Sequence, residues 1–234
     1  MFNSSKYIDG FMDNITSQTA FNECELILVD ANAVSEKKFV SRFLDEFKNI
    51  HYFHISDFGL SKDPGVYGCW NLAIKNSSHP LITNANLDDR RSDLAIEIQK
   101  KELENNQLID LVYYRTLETD KPRETFENNS ANKEFPCLDH SFNSLMAVNS
   151  PHCQPMWRRS LHDIYGLFNE TLMSAADYEM WLRVTNAGCH MKKIDQVLGL
   201  YYRNPEGVSS GSKTLQKAIF EVQQVRNQYR KSYI

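Results

Sequence analysis

No window of the sequence approaches the ~20 consecutive apolar residues that cross a bilayer, and its first residues lack a basic stretch leading into an apolar one. Neither a membrane-spanning helix nor a secretory signal is therefore read from it. An excess of positive charge is also missing: 26 Lys+Arg stand against 30 Asp+Glu, a net charge of -4, which argues against a dedicated nucleic-acid binder. Cysteine pairs are missing too. Cys24, Cys69, Cys137, Cys153 and Cys189 are odd in number, scattered and without a C-x-x-C spacing, so they read as free thiols of a reducing, cytoplasmic compartment, with no zinc site and no disulfide framework. There is no internal repeat and no clear inter-domain linker. What remains is a chain of 234 residues, 41% hydrophobic, long enough to bury the core of one large α/β domain or two small ones.

Hydrophobic period organises the first half as alternating helices and strands. Ile8, Phe11, Met12 and Ile15 fall at helical spacing, and Glu25 to Val29 is a short apolar run ending in Asp30. Phe39, Val40, Phe43, Leu44 and Phe47 mark one face of a second helix, with Ser35 as its N-cap. A strand over His51 to Ile55 follows. Asp63-Pro64 reads as an N-cap with proline at the first helical position, opening a helix through Trp70, Leu72, Ala73 and Ile74. Leu81 to Ala85 is the next strand. This order predicts a mostly parallel sheet flanked by helices, with ligands beyond the carboxyl ends of its strands, where Asp30 and Asp88 sit.

The second half begins with a charged helix over 92–104 and a longer strand over 108–117. Residues 118–140 lack periodicity and read as a long surface loop. A helix over 175–187 ends at Gly188, strands follow through Ile194 and from Leu198 to Tyr202, and an amphipathic helix over 213–230 carries Leu215, Ile219, Val222 and Val225.

The segment Ile82-Thr-Asn-Ala-Asn86-Leu-Asp88-Asp89-Arg90-Arg91 carries the most chemistry. Adjacent carboxylates repel one another, and two of them at a strand end suit a hard divalent cation such as Mg²⁺ or Mn²⁺, which prefers oxygen ligands. The competing reading is a strand-to-helix turn in which Asp88 or Asp89 caps the next helix.

Several segments, taken in order, resemble the family-2 glycosyltransferases of GT-A fold: Glu25 to Asp30, Asp63-Pro-Gly with Trp70-Asn71-Leu-Ala, Ile82 to Arg91, Gly166-Leu-Phe-Asn-Glu170 with Ala176-Asp177-Tyr-Glu-Met-Trp-Leu-Arg183, and the closing Leu200 to Ser209. The resemblance covers about residues 2–209. It implies a GT-A-type α/β fold in which 2–210 form the transferase domain, 1–105 its nucleotide-sugar half and 106–210 its acceptor and catalytic half, with 211–234 as a C-terminal helix. It implies an inverting, metal-dependent transfer of a sugar from a nucleotide-sugar donor to a hydroxyl of a glycan, a lipid-linked sugar or a protein, with Mn²⁺ or Mg²⁺ as cofactor. By the same resemblance Asp88 is the metal ligand with Asp89 as support, Asn86 faces the ribose, Asp30 contacts the nucleotide base or ribose, its equal alternative being a simple strand-end turn residue, and Arg203 lies near the diphosphate. Trp157 and Arg158 stand where the family places its acceptor-side strand, the indole able to stack on a sugar ring and the arginine to grip phosphate, against the commoner reading of a core tryptophan and a solvated-edge arginine.

Asp177 is, on this resemblance, the general base that takes the proton of the acceptor hydroxyl. Ser174-Ala-Ala-Asp177 is also a capping-box pattern, which would spend the carboxylate on the helix start.

Asn86 stands where the family has an aspartate, Ala176 where it has a glutamate, and Asn204 near its terminal histidine. These departures support a second reading, a catalytically degenerate glycan- or nucleotide-sugar-binding module. The expected partners are the donor and a glycan or glycolipid acceptor, with no nucleic acid; peripheral membrane association is compatible with such an acceptor, and the oligomeric state stays open. A nucleotidyltransferase would need a glycine-rich phosphate loop near the N-terminus, and none is present in this sequence. The family also opens with an apolar strand and a Pro-x-Tyr-Asn turn, whereas this sequence opens at Met1-Phe2-Asn3, just inside that turn. A missing central strand leaves unpaired backbone groups at about 1 to 3 kcal/mol each, so donor binding and stability are expected to fall below those of a complete relative. Extension by about ten apolar-rich residues should restore both.

Overall fold

The computed structural model describes residue 1 and residues 3–230. The first half alternates as its apolar periods require: α1 (Ile8–Thr16), β1 (Leu26–Asp30), α2 (Ser41–Glu46), β2 (Ile50–His54), α3 (Gly65–Asn76), β3 (Leu81–Thr83), β4 (Arg90–Arg91) and α4 (Ala95–Asn105). The second half adds β5 (Leu111–Thr119), β6 (Lys133–Glu134), α5 (Phe142–Ala147), β7 (Met156–Arg158), α6 (Ser160–Tyr165), α7 (Ala176–Asn186), β8 (Met191–Tyr202) and α8 (Leu215–Arg230).

Ile8, Phe11, Met12 and Ile15 are all buried, as their spacing predicts. Helix α3 starts one residue later than the Asp63-Pro64 reading places it: Pro64 is the N-cap and supplies no side-chain bond, while Asp63, one residue before it, accepts the Gly65 N–H at 2.8 Å. Ser35 does not cap α2. The chain first makes a single 3₁₀ turn over Lys37–Phe39, and α2 starts at Ser41 with Val40 as an N-cap that supplies no side-chain bond. Ser35 Oγ instead bonds the Tyr52 hydroxyl at 2.7 Å.

Among the described residues the strands form two sheets, β1-β2 and β3-β7-β5-β8-β4, with β6 beside β5. The pairings β1-β2 and β5-β8 are parallel, but β7 inserts between β3 and β5 antiparallel to both, and β4 runs antiparallel to β8. The expected parallel order thus gives way to a mixed sheet in the second half, where β7 returns after the 118–140 segment. Apart from the end of β5 and the short β6, that segment is irregular.

The parallel contact of β5 with β8 is kept close by Gly199. A Cβ there would lie 2.7 Å from Tyr114 Cε2 and 3.0 Å from Thr116 Oγ1, and Tyr114 is buried with no room to retreat. Gly199→Ala is expected to cost about 1 to 3 kcal/mol by overpacking, read as a lowered urea midpoint at unchanged slope.

Helix α8 folds back onto α7. Its buried stripe is Ala218, Glu221, Val225 and Tyr229, whereas Leu215 and Ile219 face outward, so the helix is rotated from the face its aliphatic residues suggest. Polar anchors cause the rotation. Glu221 accepts the Met173 and Ser174 N–H groups at 2.9 and 2.8 Å, the Tyr229 hydroxyl donates to Glu179 at 2.9 Å, and Arg226 Nη2 donates to the Ala147 carbonyl at 2.7 Å.

Candidate active site

One cavity of about 1920 Å³ gathers the carboxylates of both halves, with Asn86, Asp88, Asp89 and Asp177 in its lining. The acidic loop that follows β3 is closed at its base by Arg91. This buried guanidinium donates from Nη2 to the Asn84 carbonyl at 2.7 Å, while Asn14 Nδ2 donates to the Arg91 carbonyl at 2.8 Å and Asn14 Oδ1 accepts the Arg91 N–H at 2.9 Å. Arg90 Nη1 holds the inside of the loop through the carbonyls of Leu87 and Asp89.

The two adjacent aspartates differ in environment. Asp89 is 2% exposed and turned inward, accepting the Tyr202 N–H at 3.2 Å and Asn86 Nδ2 at 2.8 Å. Burial first, and the charge of Asp88 second, raise its pKa above the ordinary carboxylate range. Asp88 is half-buried and accepts Asn204 Nδ2 at 2.9 Å on Oδ2. Neither carboxylate caps α4, whose N-cap is Leu94.

Among the described residues no three His, Cys, Asp or Glu side chains converge where an ion could be held by protein alone. One cavity-lining carboxylate nevertheless fits an ion shared with phosphate oxygens, which the protein commonly holds by one or two carboxylates only. Asp88, which accepts Asn204 Nδ2, is the cavity-lining residue that could hold it.

Asp177 stands in the first turn of α7, but the capping box does not form. Ala175 is the N-cap and brings no side-chain bond, and Ser174 Oγ donates to Glu221 at 3.0 Å. The Asp177 carboxylate is held across the cavity wall, Oδ1 by the Tyr67 hydroxyl at 2.7 Å and Oδ2 by Asn149 Nδ2 at 3.0 Å. Burial raises its pKa; the hydrogen bonds from Tyr67, Asn149 and the Tyr178 backbone work against that rise without cancelling it. Tyr67 lies within the α3 motif, three residues before Trp70, so helical spacing could have found it; Asn149, in an irregular loop, carries no comparable signal.

Aromatic rings finish the far wall. His152 stacks on Phe135 with ring centres 4.1 Å apart and meets Tyr201 edge-on at 4.6 Å. Burial pushes the His152 pKa down to about 4, so the ring is neutral at pH 7.

Four expected contacts take other roles. Asp30 is fully buried and saturated: Oδ1 accepts the Asn32 N–H at 3.0 Å and Asn32 Nδ2 at 2.6 Å, and Oδ2 accepts the Glu36 N–H at 2.6 Å and the Tyr52 hydroxyl. With those positions filled it organises the 30–36 turn rather than touching a nucleotide. Trp157 is 1% exposed, its indole donating to His162 Nε2 at 2.9 Å among Trp181 and Phe168, which leaves no face for a sugar. Arg158 spends its donors on the carbonyls of Leu103, Asn106 and Ile109, closing the C-terminal end of α4. Arg203 is exposed beside Glu118, outside the cavity lining.

Asp30 also sets an acid dependence. Burial alone would raise its pKa, but the bonds from Tyr52, Glu36 and Asn32 outweigh it and hold the carboxyl below its ordinary value. A depressed folded-state pKa contributes stability above the unfolded value of about 3.9, lost as pH falls through the lower folded value. Asp30→Asn is therefore expected to cost about 2 to 3 kcal/mol at pH 7 and less at pH 3, read from urea midpoints at the two pH values.

No protein-family model matches the chain. Its backbone superposes on S. aureus TarS in complex with UDP-GlcNAc with a TM-score of 0.75 at 15% identity, covering 97% of this chain and 63% of that one. It also superposes on the mannosyltransferase PcManGT from Pyrobaculum calidifontis, in complex with GDP-Man and Mn²⁺, with a TM-score of 0.64 at 14% identity, covering 88% and 56%. The chain thus spans less than two thirds of the length of these solved structures. The chain thus has the GT-A-type fold of these glycosyltransferases. In sequence, the chain is 24% identical over 241 residues to the Escherichia coli UDP-Gal:alpha-D-GlcNAc-diphosphoundecaprenol beta-1,3-galactosyltransferase, covering 99% of this chain and 81% of that protein.

Proposed function

We propose that this chain transfers a hexose from a nucleoside-diphosphate sugar to a hydroxyl of a lipid-linked glycan, with inversion at the anomeric carbon. The observation that carries the proposal is Asp177, a carboxylate in the first turn of a helix, held by Tyr67 and Asn149 in the cavity that also contains Asp88. Asp177 accepts the acceptor proton as that oxygen attacks the anomeric carbon, and the bond to the diphosphate breaks on the opposite face. Asp88 would hold a divalent ion, which when bound offsets the charge of the departing diphosphate. Asn86, its amide nitrogen committed to Asp89, presents its oxygen to a ribose hydroxyl. The lipid-linked acceptor and the uridine donor are supported by the E. coli relative and by TarS, which is seen with UDP-GlcNAc. No helix among the described residues is long and apolar enough to cross a membrane.

Thermal unfolding with UDP, GDP, dTDP and CDP, each with and without Mn²⁺, tests the donor half. Ligand binding to the folded state raises stability by linkage, about 2.7 kcal/mol at a hundredfold excess over Kd. UDP with Mn²⁺ is expected to raise Tm, and Asp88→Ala to abolish the rise. Equal shifts in that variant would remove Asp88 from the site. Donor binding with no turnover on any lipid-linked glycan would favour the binding-module reading.

A further inference from the structure

Lys6, Lys100, Lys217 and Arg226 line the cavity, and their charges are not alike in partnership. Lys6 is paired with Glu206, and Lys100 with Glu23 and Glu104. Lys217 and Arg226, both on α8, have no carboxylate partner among the described residues. Arg226 is the more firmly held of the two. It is half-buried, its Nε donating to the Tyr178 hydroxyl at 3.1 Å and its Nη2 to the Ala147 carbonyl at 2.7 Å. Both acceptors are neutral, so the guanidinium is fixed in place while its charge stays uncompensated. Tyr178 directly follows Asp177, and Ala147 stands two residues before Asn149, which holds Asp177 Oδ2. The fixed cation is thus tied to the same two segments as the proposed base.

Leu215, Ile219, Val222 and Arg226 recur at the spacing of one helix face, and all four line the cavity. Leu215 is 43% and Ile219 49% exposed, so the face that α8 turns to the cavity is apolar and uncovered. Val222 packs at its inner edge onto the core around Tyr178 and Trp181. At the rise of an α-helix the three apolar positions extend about 10 Å, leading away from Arg226. A cation at one end of an apolar strip matches a phosphate ester of a long hydrocarbon chain. The guanidinium fork suits phosphate oxygens, and the strip gains by covering hydrocarbon.

We infer that this face of α8 binds the lipid-phosphate end of the acceptor, with Arg226 on the phosphate and Val222, Ile219 and Leu215 along the first part of the hydrocarbon chain. The site depends on the lipid-linked acceptor proposed above and gives it a direction, the sugar toward Asp177 and the chain toward the start of α8. The junction of phosphate and lipid then selects the acceptor together with the sugar. A free glycan ending in the same sugar lacks both contacts and binds more weakly.

Isothermal titration in EDTA tests the site without turnover, and without an ion through which diphosphate could reach Asp88. The probes are decyl diphosphate, decyl β-glucoside and inorganic diphosphate, the first two kept below their micelle concentrations. Decyl diphosphate is expected to bind the unaltered chain about tenfold or more tightly than either of the others. Arg226→Gln should weaken decyl diphosphate by about tenfold and leave decyl β-glucoside unchanged, and Arg226→Lys should recover part of the loss. Ile219→Gln, at a half-exposed position where the fold tolerates it, should weaken both decyl probes alike. Unchanged binding of decyl diphosphate by Arg226→Gln or by Ile219→Gln overturns the proposal. Equal weakening of both decyl probes by Arg226→Gln also overturns it, because the side chain then serves only the fold. Binding to phosphatidylglycerol vesicles without binding of monomeric decyl diphosphate overturns it as well and gives α8 to a bilayer surface. If the probes behave as expected but no sugar is transferred, the α8 site stands and the reaction proposed above falls. If Arg226→Gln transfers sugar to a lipid-linked glycan at the unaltered rate under subsaturating acceptor, the site falls and the reaction stands.

Discussion

Asp177→Asn is expected to lower kcat by about 10²- to 10⁴-fold while leaving the Mn²⁺-dependent thermal shift by UDP unchanged. The substitution keeps the shape of the side chain and an oxygen that can accept the Tyr67 hydroxyl, so the wall between α3 and α7 survives. What disappears is a group able to take a proton. Single-turnover kinetics with saturating donor separate the two effects: a slow chemical step with intact donor binding identifies the base, and an unaltered rate would falsify that role. The burial that raises the Asp177 pKa bears on this result, because a base closer to neutrality takes the proton with more driving force than an exposed carboxylate.

Trp157→Ala should act on the fold instead, costing about 3 to 5 kcal/mol, in the range of large aromatic truncations in cores. The ring lies 5.2 Å from Trp181 and 6.0 Å from Phe168, both near edge-on, and its removal also strands His162 Nε2. Urea denaturation measures the loss. Near-native stability combined with a raised acceptor KM would return Trp157 to the sugar-stacking role its sequence position suggests.

The contrast between these two residues explains how far the sequence could be read. Elements declared by an apolar period were legible: α1, β1, α3, α7 and the length of α8 follow from the spacing of Ile8 to Ile15, the run to Asp30, the Asp63-Pro64 start, and the apolar stripe of Met180 to Val184. Rotation and partnership were not. Leu215 and Ile219 look like the inner face of α8, yet Glu221 and Tyr229 hold an adjacent face, shared with Val225, against the rest of the fold because buried polar groups must find partners. Pattern likewise puts Asp30, Asp88 and Asp177 on an equal footing as carboxylates at element ends. Only the donors around them distinguish the saturated Asp30 from the two that line the cavity, and those donors come from Tyr52, Asn204 and Tyr67, remote in sequence. The mixed sheet was hidden for a related reason: β7, which only the family resemblance placed, is three residues long, too short to declare its direction.

Arg91 and Asn14 shut the base of the acidic loop before any ligand arrives. A donor meeting that loop finds little backbone freedom left to remove, so the entropic penalty usual for ordering a binding loop is already met in folding. Calorimetry on a series of donors should then show affinity differences that originate in base and sugar contacts. Selection for a new donor, by the same logic, would leave 84–91 alone and alter the surrounding walls.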